Sequence, residues 1–221
     1  MTQPQRARNG VGMTGFSDLL AGYQRFRGTN YSRFRERWAE LSEGQSPKVM
    51  VIACSDSRVD PAQIFDTSPG EIFVVRNIAN LVPPFENDSG RHGVSAALEF
   101  AVRVLEVGEI VVMGHGACGG VHAALSRTFE GAAPGAGGFI AHWVDMLDDA
   151  RDRIVAEYGE GPDAIRALEL ETVRVSIANI RTFPCIPDHE ASGRLRIHGA
   201  YFAIAEGVLH VMGEDGEFGP A

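Results

Sequence analysis

Two short stretches hold the side chains best suited to chemistry. In VIACSDSRVD (51–60), Cys54, Asp56 and Arg58 stand at alternate positions behind an apolar run. An extended chain projects all three to one side. In GHGACGG (114–120), His115 and Cys118 sit three residues apart among four glycines, which let the backbone turn sharply. Cys118 falls where a helix is expected to begin, and the N–H groups and dipole of a helix start favour a thiolate. Two thiolates and one imidazole form a donor set that zinc takes in tetrahedral geometry, with the fourth position left for chemistry. Asp56 then reaches the metal or the water on it, and Arg58 pairs with the carboxylate and fixes its orientation.

Three other readings compete for these residues. Buried cysteines in a parallel-sheet protein are commonly inert core thiols. A structural zinc site shows four Cys/His ligands in knuckles, and no partner knuckle exists here. A cysteine-phosphatase loop needs five residues between cysteine and arginine, whereas three separate Cys54 from Arg58. Cys185, in RTFPCIP, lacks a glycine turn and a nearby ligand pattern and reads as a packed or incidental thiol.

The elements that must bring Cys54 to His115 follow from periodicity. KVMVIAC (48–54) reads as a buried strand, and Asp60-Pro61 signals a short helix with an acidic cap and proline at its first position. EIFVVR (71–76) is a second strand, 89–107 a helix stopped by Gly108, and EIVVMGH (109–115) a third strand running into a helix from CGGVHAALSR. GAAPGAGG (131–138) is a loop, 139–158 and 162–181 are helices, and 194–212 holds two strands turning near Glu206-Gly207. This alternation implies an α/β fold with a mostly parallel central sheet and right-handed crossovers. The expected order is 2-1-3-4 with an antiparallel edge strand, flanked by helices. That order makes strands one and three neighbours at the switch point, where sites form beyond the carboxyl ends.

Residues 1–13 read as disordered and 15–44 as an amphipathic helical arm. Phe16, Leu19, Leu20, Tyr23 and Phe26 lie on one face, then Tyr31, Phe34, Trp38 and Leu41 beyond GTN. That apolar surface calls for burial on its own domain or on another subunit. The expected division is 1–44, tail and arm, and 45–221, a single α/β zinc catalytic domain. A net charge of −9 argues against nucleic acid, which needs a basic face. No window approaches a membrane span of ~18 apolar residues. No apolar segment follows the N-terminal arginines, so a cytoplasmic location is expected.

The stretches CSDSR and, about sixty residues later, HGACGG resemble those of the β-class carbonic anhydrases, plant-like branch. The likeness extends over GQSPKVMVIACSDSRVDP, PGEIFVVRNIANLVPPF, SAALEFAV, IVVMGHGACGG and ANIRTFP. It implies one Zn²⁺ per subunit on Cys54, His115 and Cys118, with Asp56 and Arg58 as the catalytic pair and CO2/bicarbonate as substrate. In the family Asp56 either pairs with Arg58 or takes the fourth metal position itself. The resemblance also implies substrate contacts from Gln45, Phe73, Ile78 and the N–H of Gly119, and self-association as a homodimer or dimer of dimers. Phe100 stands where the plant-like enzymes carry tyrosine, so one pocket hydroxyl is missing. Another bacterial branch inhibits itself through bicarbonate bound by Trp, Arg and Tyr. Here Arg76 remains but Val51 and Phe202 replace its companions, so that inhibition is not expected and Arg76 reads as structural. His92 is a candidate proton shuttle. A related zinc hydrolase acting on CS2 or COS is the alternative activity.

Two thiolates neutralise the charge of zinc, which makes its water less acidic than on an all-histidine site. Activity is therefore expected to rise through the alkaline range; a pH–rate profile already flat below neutrality would contradict this.

Overall fold

β-branched and aliphatic residues crowd the segments that become strands, and turn residues separate them. In the computed structural model, which describes residues 15–221, these segments form one six-stranded sheet. The strands are β1 (Val49–Cys54), β2 (Ile72–Asn77), β3 (Glu109–His115), β4 (Arg196–Ala203), β5 (Val208–Met212) and β6 (Phe218–Pro220). Their order is β2-β1-β3-β4-β5-β6, with parallel pairing from β2 to β4 and antiparallel pairing beyond. The expected order 2-1-3-4 is present. The antiparallel edge has two strands rather than one, because the short FGP segment gave no period to read. The expected disorder of residues 1–13 lies outside the described residues.

The chain divides into a unit ending at Gln45 and a second unit, Ser46–Ala221. In the first, the anticipated arm is two helices, α1 (Phe16–Phe26) and α2 (Arg35–Glu43), joined by a wide π-helical turn over Arg27–Tyr31. Phe26, Tyr31 and Trp38 pack on one another with ring centroids 5.8–6.2 Å apart. Phe16, Leu19, Leu20 and Tyr23 are exposed.

In the second unit, seven further helices connect the strands: α3 (Pro61–Ile64), α4 (Gly93–Arg103), α5 (Gly119–Leu125), α6 (Gly138–Val144), α7 (Asp148–Tyr158), α8 (Pro162–Ile180) and α9 (Ile186–Ala191). Asp60 caps α3 as expected, accepting from the N–H groups of Ala62 and Gln63. The helix expected at 89–107 is shorter. It unwinds after Arg103, where Leu105 N–H bonds back to Phe100 and Glu106 takes a left-handed conformation, φ 52°. The helix expected at 139–158 is two, because the 3₁₀ turn Asp145–Leu147 breaks it.

Packing explains why β1 reads as an unbroken apolar run. Met50 and Ile52 join Leu98, Val102, Val173 and Ile177 of α4 and α8 on one face; Val51 and Ala53 join Met113 and Ala200 on the other. Both faces are buried, as in parallel sheets generally. A second cluster, drawn largely from α5, α7 and α8, includes Cys54 and Cys118 themselves. Each fully buried Leu, Ile or Val in these layers contributes roughly 1.5–3 kcal/mol.

At the opposite end of the sheet, Glu109 of β3 holds Arg196 and His198 of β4. The hydrogen bond from Arg196, then that from His198, holds the Glu109 carboxyl below the usual carboxylate range. A depressed acid stabilises the fold above its ordinary range and loses that contribution as pH falls through it. Glu109→Gln is therefore expected to lower the melting temperature at neutral pH. The deficit should shrink as pH falls through and below the ordinary carboxylate range, since the depressed acid is protonated last in the folded state; thermal melts across pH check this.

Candidate metal centre

The parallel register sets the metal ligands side by side. Cys54 ends β1 opposite Asn77 of β2, and His115 ends β3, the strand on the other side of β1. After His115 the chain turns through Ala117, φ 55°, and Cys118 becomes the N-cap of α5. The sulfurs of Cys54 and Cys118 lie 3.9 Å apart, and a His115 ring nitrogen lies within 4.8 Å of both. All three residues are buried.

This geometry fits a tetrahedral zinc ion. Sulfurs each about 2.3 Å from a tetrahedral centre stand roughly 3.8 Å apart. His115 Nδ1 bonds the Gly116 carbonyl at 2.9 Å, so it carries the proton, while Nε2 is buried with no hydrogen-bond partner among the described residues. A buried acceptor left bare in this way is costly unless something binds it. The thiols point to the same occupant. Hydrogen bonding from Cys118 pulls the Cys54 thiol down to about 4 against the cost of burial. The bond to Cys54 and burial push Cys118 up, against the opposing pull of the Gly120 and Val121 N–H groups. Alone, the pair carries one negative charge readily and resists a second; a dication between them removes that resistance.

The loop after Cys54 is held at several points. Arg58 donates to Asp56 through Nε at 2.9 Å and Nη2 at 2.6 Å, and Nη2 also reaches the Ala117 carbonyl at 2.9 Å. The Arg58 backbone N–H adds a bond to the same carboxylate. These bonds hold the Asp56 carboxyl far below the usual carboxylate range, the Arg58 side-chain hydrogen bonds being the largest cause. Of the two positions open to Asp56, the structure shows the one paired with Arg58. Arg76 donates to the carbonyls of Cys54 (2.8 Å) and Asp56 (2.6 Å) and to the Asp60 carboxylate (3.2 Å).

A cavity of about 310 Å³ opens over this loop, bounded by Cys54, Asp56, Ile78, Gly119, Phe129 and Ile140 among others. Gly120 is needed beside it, because a side chain there would collide with Ile78 and Ala79. Of the residues expected in the substrate pocket, Ile78 and Gly119 line this cavity together with Cys54. Phe73 and Phe100 do not line this cavity; their rings stack on each other, centroids 5.9 Å apart, between β2 and α4. Gln45 is exposed, at the end of the first unit. His92 lies on the surface between Glu86 and Asp88. Cys185 is half-buried against the core, as expected.

Sequence reasoning missed two groups. Phe129 and Ile140 line the cavity from either side of the Gly-rich loop, and no spacing rule connects them to Cys54. Glu169, buried in α8, accepts from the Cys118 N–H (3.2 Å) and the Tyr201 hydroxyl (2.7 Å). Its one signal is an acid set among apolar neighbours in ALELETV.

Sheet order and ligand set together define an α/β metalloenzyme whose site lies at a topological switch point. Comparison with known proteins narrows this further. Residues 49–209 match the family model described as carbonic anhydrase. Beta carbonic anhydrase 3 of Arabidopsis thaliana is 34% identical over 206 residues, 92% of this chain and 79% of that protein. The structure of the β-carbonic anhydrase CcaA superposes with a TM-score of 0.84 at 32% identity, covering 93% of this chain and 91% of the other. One of two β-carbonic anhydrases from Sordaria macrospora, described as tetrameric, gives 0.75 at 30% identity, covering 90% and 96%. The chain belongs to the β-class carbonic anhydrases, lyases that hydrate CO2 reversibly.

Replacing Cys118 by Ala is expected to remove tight metal binding while the circular dichroism spectrum persists. The loss of zinc affinity should exceed the ~100-fold cost of losing an outer partner; competition with a chromophoric chelator measures it.

Proposed function

We propose that this chain hydrates CO2 with one zinc ion per subunit on Cys54, His115 and Cys118, and that Asp56 and Arg58 are its catalytic pair. The observation that carries the reading is the bare, buried Nε2 of His115 beside two sulfurs at tetrahedral spacing. Zinc, when bound, would supply the acidity that makes water a nucleophile far below water's ordinary pKa.

The chain's own residues supply the rest. Arg58 keeps Asp56 ionised throughout the neutral range, so Asp56 orients the attacking water by accepting its hydrogen bond rather than by storing its proton. Ile78 gives the cavity an apolar wall suited to a small apolar substrate. The Gly119 N–H lies at the start of α5 and serves the bicarbonate anion as it forms. Gln45, Phe73 and Phe100 complete the substrate pocket across the interface of a homodimer or dimer of dimers. This is supported by the placement of Phe73 and Phe100 outside the cavity of their own chain, and by exposed Val74, Phe100 and Val104 along β2 and α4. No helix among the described residues is long and apolar enough to cross a membrane. A cytoplasmic location belongs to the same reading, supported by three unbridged cysteines.

Metal analysis and stopped-flow CO2 hydration test the proposal together. Wild type and Asp56→Ala should both bind one zinc per chain, with kcat/KM lower in the variant by about 100-fold or more. A zinc-loaded wild type that fails to hydrate CO2 would sink it.

A further inference from the structure

The first acid of ALELETV takes no part in the proposed reaction, yet it is buried beside the metal ligands. Glu169 is 3% exposed and its neighbour Tyr201 2%. A carboxylate taken out of water is costly unless its oxygens are bonded, and here both are. Oε1 accepts from the Cys118 N–H at 3.2 Å, and Oε2 accepts from the Tyr201 hydroxyl at 2.7 Å. Burial, then the bond to Glu169, pushes the Tyr201 hydroxyl up, so it keeps its proton and donates. The Arg166 guanidinium, one helical turn before Glu169 on α8, lies 3.7 Å from the centre of the Tyr201 ring and steadies it.

Three elements thus meet at one carboxylate: α8 carries it, β4 anchors it through Tyr201, and it grips the N-cap of α5 at Cys118. The glycines of the ligand turn fit around this contact. A Cβ on Gly114 would lie 2.9 Å from Val173 and 3.3 Å from the Glu169 carbonyl, and one on Gly116 would lie 2.9 Å from the Tyr201 hydroxyl. Bare positions there let α8 and Tyr201 close on the turn between His115 and Cys118. Cys118 is then held from two sides. The Gly120 and Val121 N–H groups bond its sulfur, while its own amide is taken by Glu169. Only one torsion separates the backbone from the sulfur, so fixing the amide restricts where the sulfur can stand.

We propose that Glu169, anchored by Tyr201, is a positioning residue for the metal centre: its bond to the Cys118 amide sets the direction of that sulfur and thereby the affinity for zinc. The proposal rests on the reading of Cys54, His115 and Cys118 as the zinc ligands. Glu169 acts here by geometry. Glutamine would keep both bonds, because a tyrosine hydroxyl accepts as well as donates, whereas alanine keeps neither.

Two measurements test this on wild type, Glu169→Ala, Glu169→Gln and Tyr201→Phe, with folding checked by thermal melts. One is zinc affinity by chelator competition, the other the absorption spectrum of the cobalt(II)-exchanged protein. Glu169→Ala should bind zinc about 10- to 100-fold more weakly, the usual cost of losing a group that holds a ligand in place. Tyr201→Phe keeps the ring but leaves Oε2 bare, and should lose about three- to tenfold. Glu169→Gln should stay within about threefold of wild type, since both bonds survive. The thiolate-to-cobalt bands should shift in Glu169→Ala and Tyr201→Phe and keep their wild-type positions in Glu169→Gln, a pattern that general destabilisation does not produce. Should Glu169→Ala not fold, the contrast between Tyr201→Phe and Glu169→Gln decides. Wild-type affinity and spectrum in folded Glu169→Ala or Tyr201→Phe overturn the proposal, as does a Glu169→Gln variant no better than these two. A wild type that takes up no zinc defeats the ligand assignment itself, and the proposal with it.

Discussion

Two thiols and an imidazole, buried together with only one favourable negative charge among them, are the constraint around which this protein is arranged. Left to itself such a cluster is an electrostatic liability in the interior. A dication resolves it, provided the donors are held at tetrahedral spacing before it arrives. Preorganisation of this kind needs rigid elements, and the fold supplies the most rigid ones it has. Cys54 and His115 end adjacent central strands, and Cys118 caps the helix that follows. Each ligand therefore inherits its position from backbone hydrogen bonds rather than from side-chain packing alone.

The outer groups extend that logic. Arg76 reaches from β2 to the carbonyls on either side of Ser55 and to Asp60, which at the same time caps α3. One guanidinium thus ties the start, middle and end of the loop that carries Asp56. Glu169 fixes the other loop through the Cys118 N–H, and Arg58 links the two by bonding both Asp56 and the Ala117 carbonyl. These contacts are charge-assisted hydrogen bonds, the kind that gives directional as well as energetic control. Arg76 thus directs its bonds to the loop that carries Asp56.

What was legible in the sequence was what depends on local order. Alternation singled out Cys54, Asp56 and Arg58 together, although β1 ends at Cys54 and Asp56 meets Arg58 through a turn closed by the Val59 N–H on the Asp56 carbonyl; the glycines around His115 announced the turn that brings Cys118 back. Strand order followed from the βα alternation. The arm was legible only as helical: its kink at Arg27–Tyr31 arises where Phe26, Tyr31 and Trp38 close on one another, a contact no single periodicity encodes. The end of α4 was misplaced because Gly108 is an obvious stop signal, whereas the actual unwinding uses Glu106 in a conformation its side chain does not advertise. Phe73 and Phe100 were assigned to the pocket through resemblance, and within one chain they stack elsewhere.

Phe129 shows why cavity walls are harder to read than ligand sets. A metal ligand is constrained by its chemistry, so its residue type narrows its role; a wall residue is constrained only by shape. Nothing in RTFEGAAPGAGG says that the phenylalanine turns inward. The glycines carry that information indirectly, since Gly137 must remain bare for the loop to close on the ring and Gly138 has carbonyl oxygens where a Cβ would sit. The Gly-rich run, read from the sequence simply as a loop, is tightly closed, its lack of side chains used for close approach. The same physical property gives Gly120 its place against Ile78 and Ala79 on the other side of the cavity. Two of the walls around the metal centre are therefore set by where side chains are missing.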